Sequence, residues 1–300
     1  MTFSENKKGH LAILAVNIIF GINTPIAKDA MMSISPYALT FFRFVFSAII
    51  FWILSFVFSP KKAERKDIFL FFFAAIFGTV MNLFLNIVGL EKTTPTNTAI
   101  VVSTTPIFTM IMAAVFIKEP LTFKKALGVA VGLSGALILI LSKEHGFVVP
   151  INNSLGIVIC MLGTISYAVY LTIFSKLIKR NHPLTTMKWM FLFGTIIISP
   201  FTLKQVLSVD YASLTILNWI EVAYVVLLAT CLNYMLIPYG QKRIRPTTLS
   251  MYNYVQPIVT TIIAILAGMD FLSWYKVLAA VLVFSGVYIV NTSRTKDMTI

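Results

Sequence analysis

The side chains that could do chemistry in this 300-residue chain are neutral hydrogen-bonding groups set at helical spacing inside apolar stretches. Asn17, Gly21 and Thr24 stand at i, i+4 and i+7, on one face of a helix. Asn82 and Asn86 stand at i and i+4, and Tyr167 and Tyr170 at i and i+3. Asn233 and Tyr234 are adjacent. Thr104 and Thr105 come directly before Pro106, and Tyr252, Asn253 and Gln256 come just before Pro257. A pocket of amides, hydroxyls and aromatic rings suits a zwitterionic or moderately polar solute better than a multiply charged one. The same groups can instead join helix to helix, at about 0.6–2 kcal/mol a pair.

Two charges also fall within apolar stretches. Arg43 lies about two turns into the second stretch. A cation at a helix centre costs roughly 2.5–3.5 kcal/mol on insertion scales, so it needs a reason to be there. It can anchor a solute carboxylate or clamp helices together. Glu221 lies in the first turn of the eighth stretch, where the helix macrodipole favours a carboxylate; a gate or proton site is the sharper reading. Acid–base catalysis needs positioned titrating groups. His10, His145 and His182 all lie in or beside connectors, and no paired-carboxylate motif falls in a stretch. Cys160 and Cys231 lie in separate stretches and form neither CxxC nor metal spacing. The sequence therefore predicts no catalytic residue, no metal and no cofactor. It contains no Walker motif for direct ATP drive.

The elements that must position these residues are membrane spans. Hydrophobic residues make up 58% and charged residues 12% of the chain, against roughly 25% charged in an ordinary soluble domain. Mean hydropathy is +0.88. So few charges cannot cover so much apolar surface in water. Ten apolar stretches follow one another, at roughly 11–28, 36–58, 68–90, 95–117, 123–142, 154–178, 184–203, 217–240, 247–268 and 272–292. Each approaches or exceeds the ~20 residues that cross ~30 Å of hydrocarbon. The connectors are too short to hold a soluble domain. Net charge is +13, but it is spread over helix ends with no basic domain, so no nucleic-acid partner is expected. The run after Lys7 and Lys8 continues to Lys28 without a convincing cleavage site and reads as a retained first span.

Lysine and arginine alternate in density from connector to connector. Seventeen lie on one side and five on the other, with Arg43 and Lys188 inside spans. By the positive-inside rule the denser side is cytoplasmic. Both termini are then cytoplasmic, the span number is even, and the bilayer is the cytoplasmic membrane.

Shifting the sequence by 151 residues lines up its two halves, with thirteen identities over positions 91–140 and no gap. Pro95-Thr96 falls on Pro246-Thr247, Pro106-Ile107 on Pro257-Ile258, and Ser134-Gly135 on Ser285-Gly286. Glu119 falls on Asp270. Five spans per copy invert the second copy, which is the architecture of many secondary transporters. The repeats are expected at 1–142 and 152–292. Prolines near the middle of spans four and nine interrupt them at matching positions, the best sequence pointer to a central binding site. Gly128 and Gly132 form a GxxxG step that can serve packing within the chain or a homodimer.

Order, spacing and duplication of these residues give the chain a resemblance. Phe20-Gly21-Ile22-Asn23 with Pro25 and Lys28, Pro36 with Phe42-Arg43-Phe44, then Leu90, Thr93, Thr94, Pro106, Glu119-Pro120-Leu121-Thr122, Gly128, Gly132 and Gly135 resemble an EamA-like permease of the drug/metabolite transporter superfamily. The second half departs from the pattern with Asp270-Phe271 in place of an acid followed by proline. The resemblance covers nearly the whole chain. It implies an all-α polytopic membrane protein of ten transmembrane helices in two inverted five-helix repeats, with a substrate cavity between them. It implies movement of amino acids, other small metabolites or drugs, often outward. It also favours the clamp reading of Arg43. The expected function is secondary transport of small organic solutes by alternating access, as an exporter, with the bilayer and the solute as partners. A channel or solute sensor is the alternative, and behind it an intramembrane lipid-modifying enzyme.

Overall fold

The computed structural model describes residues 3–116, 122–141, 152–241, 243 and 252–292. Lys118, Glu119, Pro120, Leu121, Lys143, His145, Lys242, Arg245, Pro246, Thr247, Arg294 and Lys296 lie outside the described residues. Among the described residues all regular structure is helical. The elements are α1 (Phe3–Ala30), α2 (Pro36–Phe58), α3 (Arg65–Lys92), α4 (Pro95–Phe116), α5 (Phe123–Leu141), α6 (Asn153–Ile173), α7 (Pro183–Leu207), α8 (Ile216–Gly240), α9 (Val255–Leu266) and α10 (Trp274–Thr292). A short helix, Ser175–Arg180, joins α6 to α7.

Local chemistry sets the boundaries. Ser35, Thr94 and Thr215 each accept a hydrogen bond from the backbone N–H three residues on, at 3.2–3.3 Å, opening α2, α4 and α8. Such caps contribute about 1 kcal/mol apiece. Pro36, Pro95 and Pro183 occupy first-turn positions where a missing N–H costs nothing. Gly268, at φ +67°, closes α9. Met269 N–H donates to Ala264 O and Gly268 N–H to Ile265 O, a left-handed helix stop that favours glycine.

Among the described residues seven helices are long and apolar enough to cross a membrane: α1 to α4 and α6 to α8. Their outward faces carry large apolar side chains, with Phe56 87% and Phe201 66% exposed, so hydrocarbon rather than water must surround them. The chain is therefore embedded in a membrane and crosses it several times. Inside, α2 and α7 pack through Phe44, Phe51 and Phe191, ring centroids 5.2–5.6 Å apart. Aromatic pairs of this kind add about 0.5–1.5 kcal/mol beyond their buried area.

Several boundaries recur 151 residues apart. α5 and α10 match at both ends, and α3 and α8 start at Arg65 and Ile216. α3 contains a π-helical turn ending at Met81, and α8 one ending at Leu232. Each is followed by an asparagine, Asn82 or Asn233. α4 is interrupted at Ser103–Thr104, and a 3-10 turn, Tyr252–Tyr254, precedes α9; both breaks come just before a proline. α5 and α10 also meet reciprocally. A Cβ on Gly286 would collide with Gly128 and Gly132 backbone, and one on Gly135 with Ala279 O. Ala279 is the residue that matches Gly128 under the shift. The Gly128–Gly132 step is thus used inside the chain.

Candidate functional site

Helices α1, α2, α3, α4, α6, α8 and α9, with the turn before α9, line a partly open cavity of about 160 Å³. From α1, Asn17 lines it. Its Nδ2 donates to Ile13 O at 2.9 Å, a bond within its own helix that fixes the amide. From α3 come Asn82 and Asn86. Asn86 Nδ2 donates to Asn82 O (2.8 Å) and Asn82 Oδ1 (2.9 Å), and Asn82 Nδ2 donates to Tyr234 Oη of α8 (3.4 Å). The π-helical turn ahead of Asn82 breaks the regular ladder, a feature frequent at functional sites. Tyr167 of α6, Tyr234 of α8, Thr105 of α4, Asn253 and Gln256 also line the cavity. Among the described residues the side chains of Asn253 and Gln256 make no hydrogen bond.

The prolines act one residue away. Pro106 and Pro257 do not line the cavity, but Thr105 and Gln256, directly before them, do. Proline at position 106 has no N–H for Val102 O. The Thr105 hydroxyl donates to that carbonyl at 2.5 Å instead. The freed carbonyl is thus satisfied within α4, by a residue that itself lines the cavity.

Three residues read as cavity candidates stand elsewhere. Thr104 is fully buried and donates to Val101 O (2.6 Å). Tyr170 stacks behind Tyr167, centroids 5.7 Å apart, with its ring seated on Gly78. Asn233 is fully buried, and its Nδ2 donates to Val16 O at 3.3 Å. It ties α8 to α1, whereas its counterpart Asn82 faces the cavity. Conversely Asn23, Thr98 and Thr164 line the cavity without having been singled out as candidates. Helical spacing could have found two of them, since Thr98 lies seven residues before Thr105 and Thr164 three before Tyr167.

Arg43 reaches the cavity from α2 and is 4% exposed. Its Nε donates to Thr230 Oγ1 at 2.9 Å, and that hydroxyl donates on to Val225 O at 2.7 Å, across the π-helical turn of α8. Glu221 does not line the cavity. It sits buried in the first turns of α8, accepting from Asn218 Nδ2 at 3.5 Å.

Ion pairs unread in the sequence hold the ends of the helices. Asp67 of α3 pairs with Arg180 and accepts from Asn181 Nδ2 at 2.7 Å. Asp270, fully buried, accepts from Lys276 Nζ at 2.6 Å and from Thr96 N–H at the start of α4 at 3.3 Å. Lys28 Nζ donates to Leu90, Glu91 and Thr93 carbonyls at 2.7–2.9 Å, closing the end of α3. Among the described residues no group of three or more His, Cys, Asp or Glu is placed to hold a metal ion.

The chain is similar to the uncharacterized transporter YyaM of Bacillus subtilis (strain 168), 28% identical over 283 residues, 93% of this chain and 92% of that one. An uncharacterized transporter of Archaeoglobus fulgidus is 24% identical over 94% of this chain and 98% of its own. A WAT1-related protein of Arabidopsis thaliana is 24% identical over 97% and 92%. A solved crystal structure shares the fold at TM-score 0.64 and 17% identity, over 96% of each chain. The sequence pattern of the EamA-like transporter family matches residues 7–141 and, a second time, residues 154–292. Matched twice over nearly its whole length, the chain belongs to the EamA-like transporter family.

Proposed function

We propose that the protein is a secondary transporter that moves small organic solutes across the cytoplasmic membrane by alternating access, in the outward direction. In this reading ten spans form two inverted five-helix repeats, residues 1–142 and 152–292, with both termini cytoplasmic. The observation that carries it is the cavity, walled by helices of both halves and flanked by two helices interrupted 151 residues apart. Reciprocal packing of α5 on α10 supports a pseudo-two-fold relation, the relation that lets two inverted halves exchange conformations. The cavity wall also fits a small solute. It mixes amides and hydroxyls with apolar side chains such as Phe20, Leu83 and Ile87.

The test begins with the metabolites released by cells overproducing the protein, compared with empty-vector cells. The class enriched outside is then taken to proteoliposomes. Saturable flux accelerated by solute on the far side identifies a carrier. A unitary conductance, or flux linear in concentration, would overturn alternating access in favour of a channel.

A further inference from the structure

We infer that Arg43 anchors an anionic group of the solute, so that the solute class carries a carboxylate on a partly apolar body. The inference rests on the cavity being the solute site, as proposed above, and narrows what enters it.

A buried cation must be compensated. Elsewhere in this chain the compensation is visible. Lys28 donates to three backbone carbonyls, and Lys276 to the Asp270 carboxylate and Phe271 O. These are structural clamps. Arg43, at 4% exposure, is more deeply buried than Lys28 and close to Lys276 at 1%, yet among the described residues its side chain makes one hydrogen bond, from Nε to Thr230 Oγ1. Among the described residues no carboxylate lies within ion-pair distance of it. Among the described residues the Nη edge of the guanidinium therefore has no acceptor, and the residue lines the cavity.

The one bond it does make is an orienting bond. Thr230 spends its proton on Val225 O and presents a lone pair to Nε, which fixes the plane of the guanidinium. A fixed planar fork with two free donors matches a carboxylate in bidentate geometry. The rest of the wall agrees. Among the described lining residues Arg43 is the only charged side chain, so nothing there neutralises it before a solute arrives. Asn253 and Gln256 offer amides for further polar groups, and Ile13 and Leu83 offer apolar contact.

The test uses the full chain purified in detergent, with ligand-induced thermal stabilisation titrated at constant ionic strength in chloride. The probes are acetate, 4-methylpentanoate and 3-phenylpropanoate, each beside its primary amide. A charge-assisted, bidentate contact should favour at least one acid over its amide by about tenfold or more. Arg43→Gln should erase that preference, and Arg43→Lys should keep part of it. If Arg43→Gln does not fold, Arg43→Lys and Thr230→Val carry the comparison, each reducing the preference. Equal binding of acids and amides overturns the inference, as does a preference that survives these substitutions. So does a response to chloride alone, or to no probe at all. The underlying site is judged separately by Asn82→Leu. If acids and amides bind alike and Asn82→Leu weakens both, the cavity stands and only the anchor falls. If Asn82→Leu changes neither, the cavity reading fails.

Discussion

Removing one partner of the Asp270–Lys276 pair should destabilise the protein more than removing both charges. The Asp270 side chain is 0% and the Lys276 side chain 1% exposed, with Nζ 2.6 Å from Oδ1. Around them, Oδ1 also accepts from Phe271 N–H (2.8 Å), Oδ2 from Thr96 N–H (3.3 Å), and Nζ donates to Phe271 O (3.1 Å). Replacing Lys276 by Met keeps the volume but leaves the Asp270 carboxylate buried and held, among the described residues, by two amides. Breaking a buried pair in this way costs about 3–5 kcal/mol, because the remaining ion has lost both water and partner. Asp270→Asn with Lys276→Met removes both charges and keeps an acceptor for Thr96 N–H. With one acceptor oxygen in place of two, the part-buried Phe271 N–H loses its partner, and the cost should be about 1–3 kcal/mol. The assay is unfolding of the detergent-purified chain with increasing sodium dodecyl sulfate, followed by tryptophan fluorescence. The single variant should unfold at clearly lower denaturant than the double. A single variant as stable as the double would refute the reasoning, since it would mean that the Asp270 carboxylate finds water or another partner at no cost.

Three further outcomes are expected. Asn82→Leu or Asn253→Leu should alter solute flux in proteoliposomes while membrane insertion, read by fractionation and gel filtration, stays intact; unchanged flux for both would remove them from the site. Gly286→Leu should abolish a monodisperse product, because its side chain would enter the backbone of Gly128 and Gly132, whereas Gly268→Ala, with open space around it at φ +67°, should cost only about 1–2 kcal/mol. Cys160 and Cys231 are buried and should resist a membrane-impermeant maleimide. Single cysteines at the exposed positions Lys62 and Ser208 should therefore label from the cytoplasmic and the outer side respectively, and labelling of both from one side would refute the proposed orientation.

Membrane residence, helix starts and the repeat are legible in the sequence because each depends on neighbours in the chain. Apolar length, a cap residue followed by proline, and a recurrence at 151 residues are local or periodic signals. Much of the cavity wall is legible for the same reason, since helical spacing puts Asn82 and Asn86, or Thr105 after its break, on one face. What spacing cannot say is which face turns inward. Tyr167 and Tyr170 share a face at i and i+3, yet Tyr170 ends behind Tyr167 because Gly78 of another helix opens a seat for its ring. Asn82 and Asn233 match under the repeat, yet Val16 O captures one amide while the other is left to the cavity.

The charges divide in the same way. The sequence by itself determined a multi-pass helical membrane protein, duplicated, with few intramembrane charges and a family pattern in order along the chain. Only the tertiary structure decided what those charges do, because their partners can lie far away in sequence. Arg180 finds Asp67 across 113 positions, and Arg43 finds Thr230 across 187. Whether a buried cation is a clamp or an open donor depends on which acceptors lie within about 3 Å of it, and that distance is settled by packing alone.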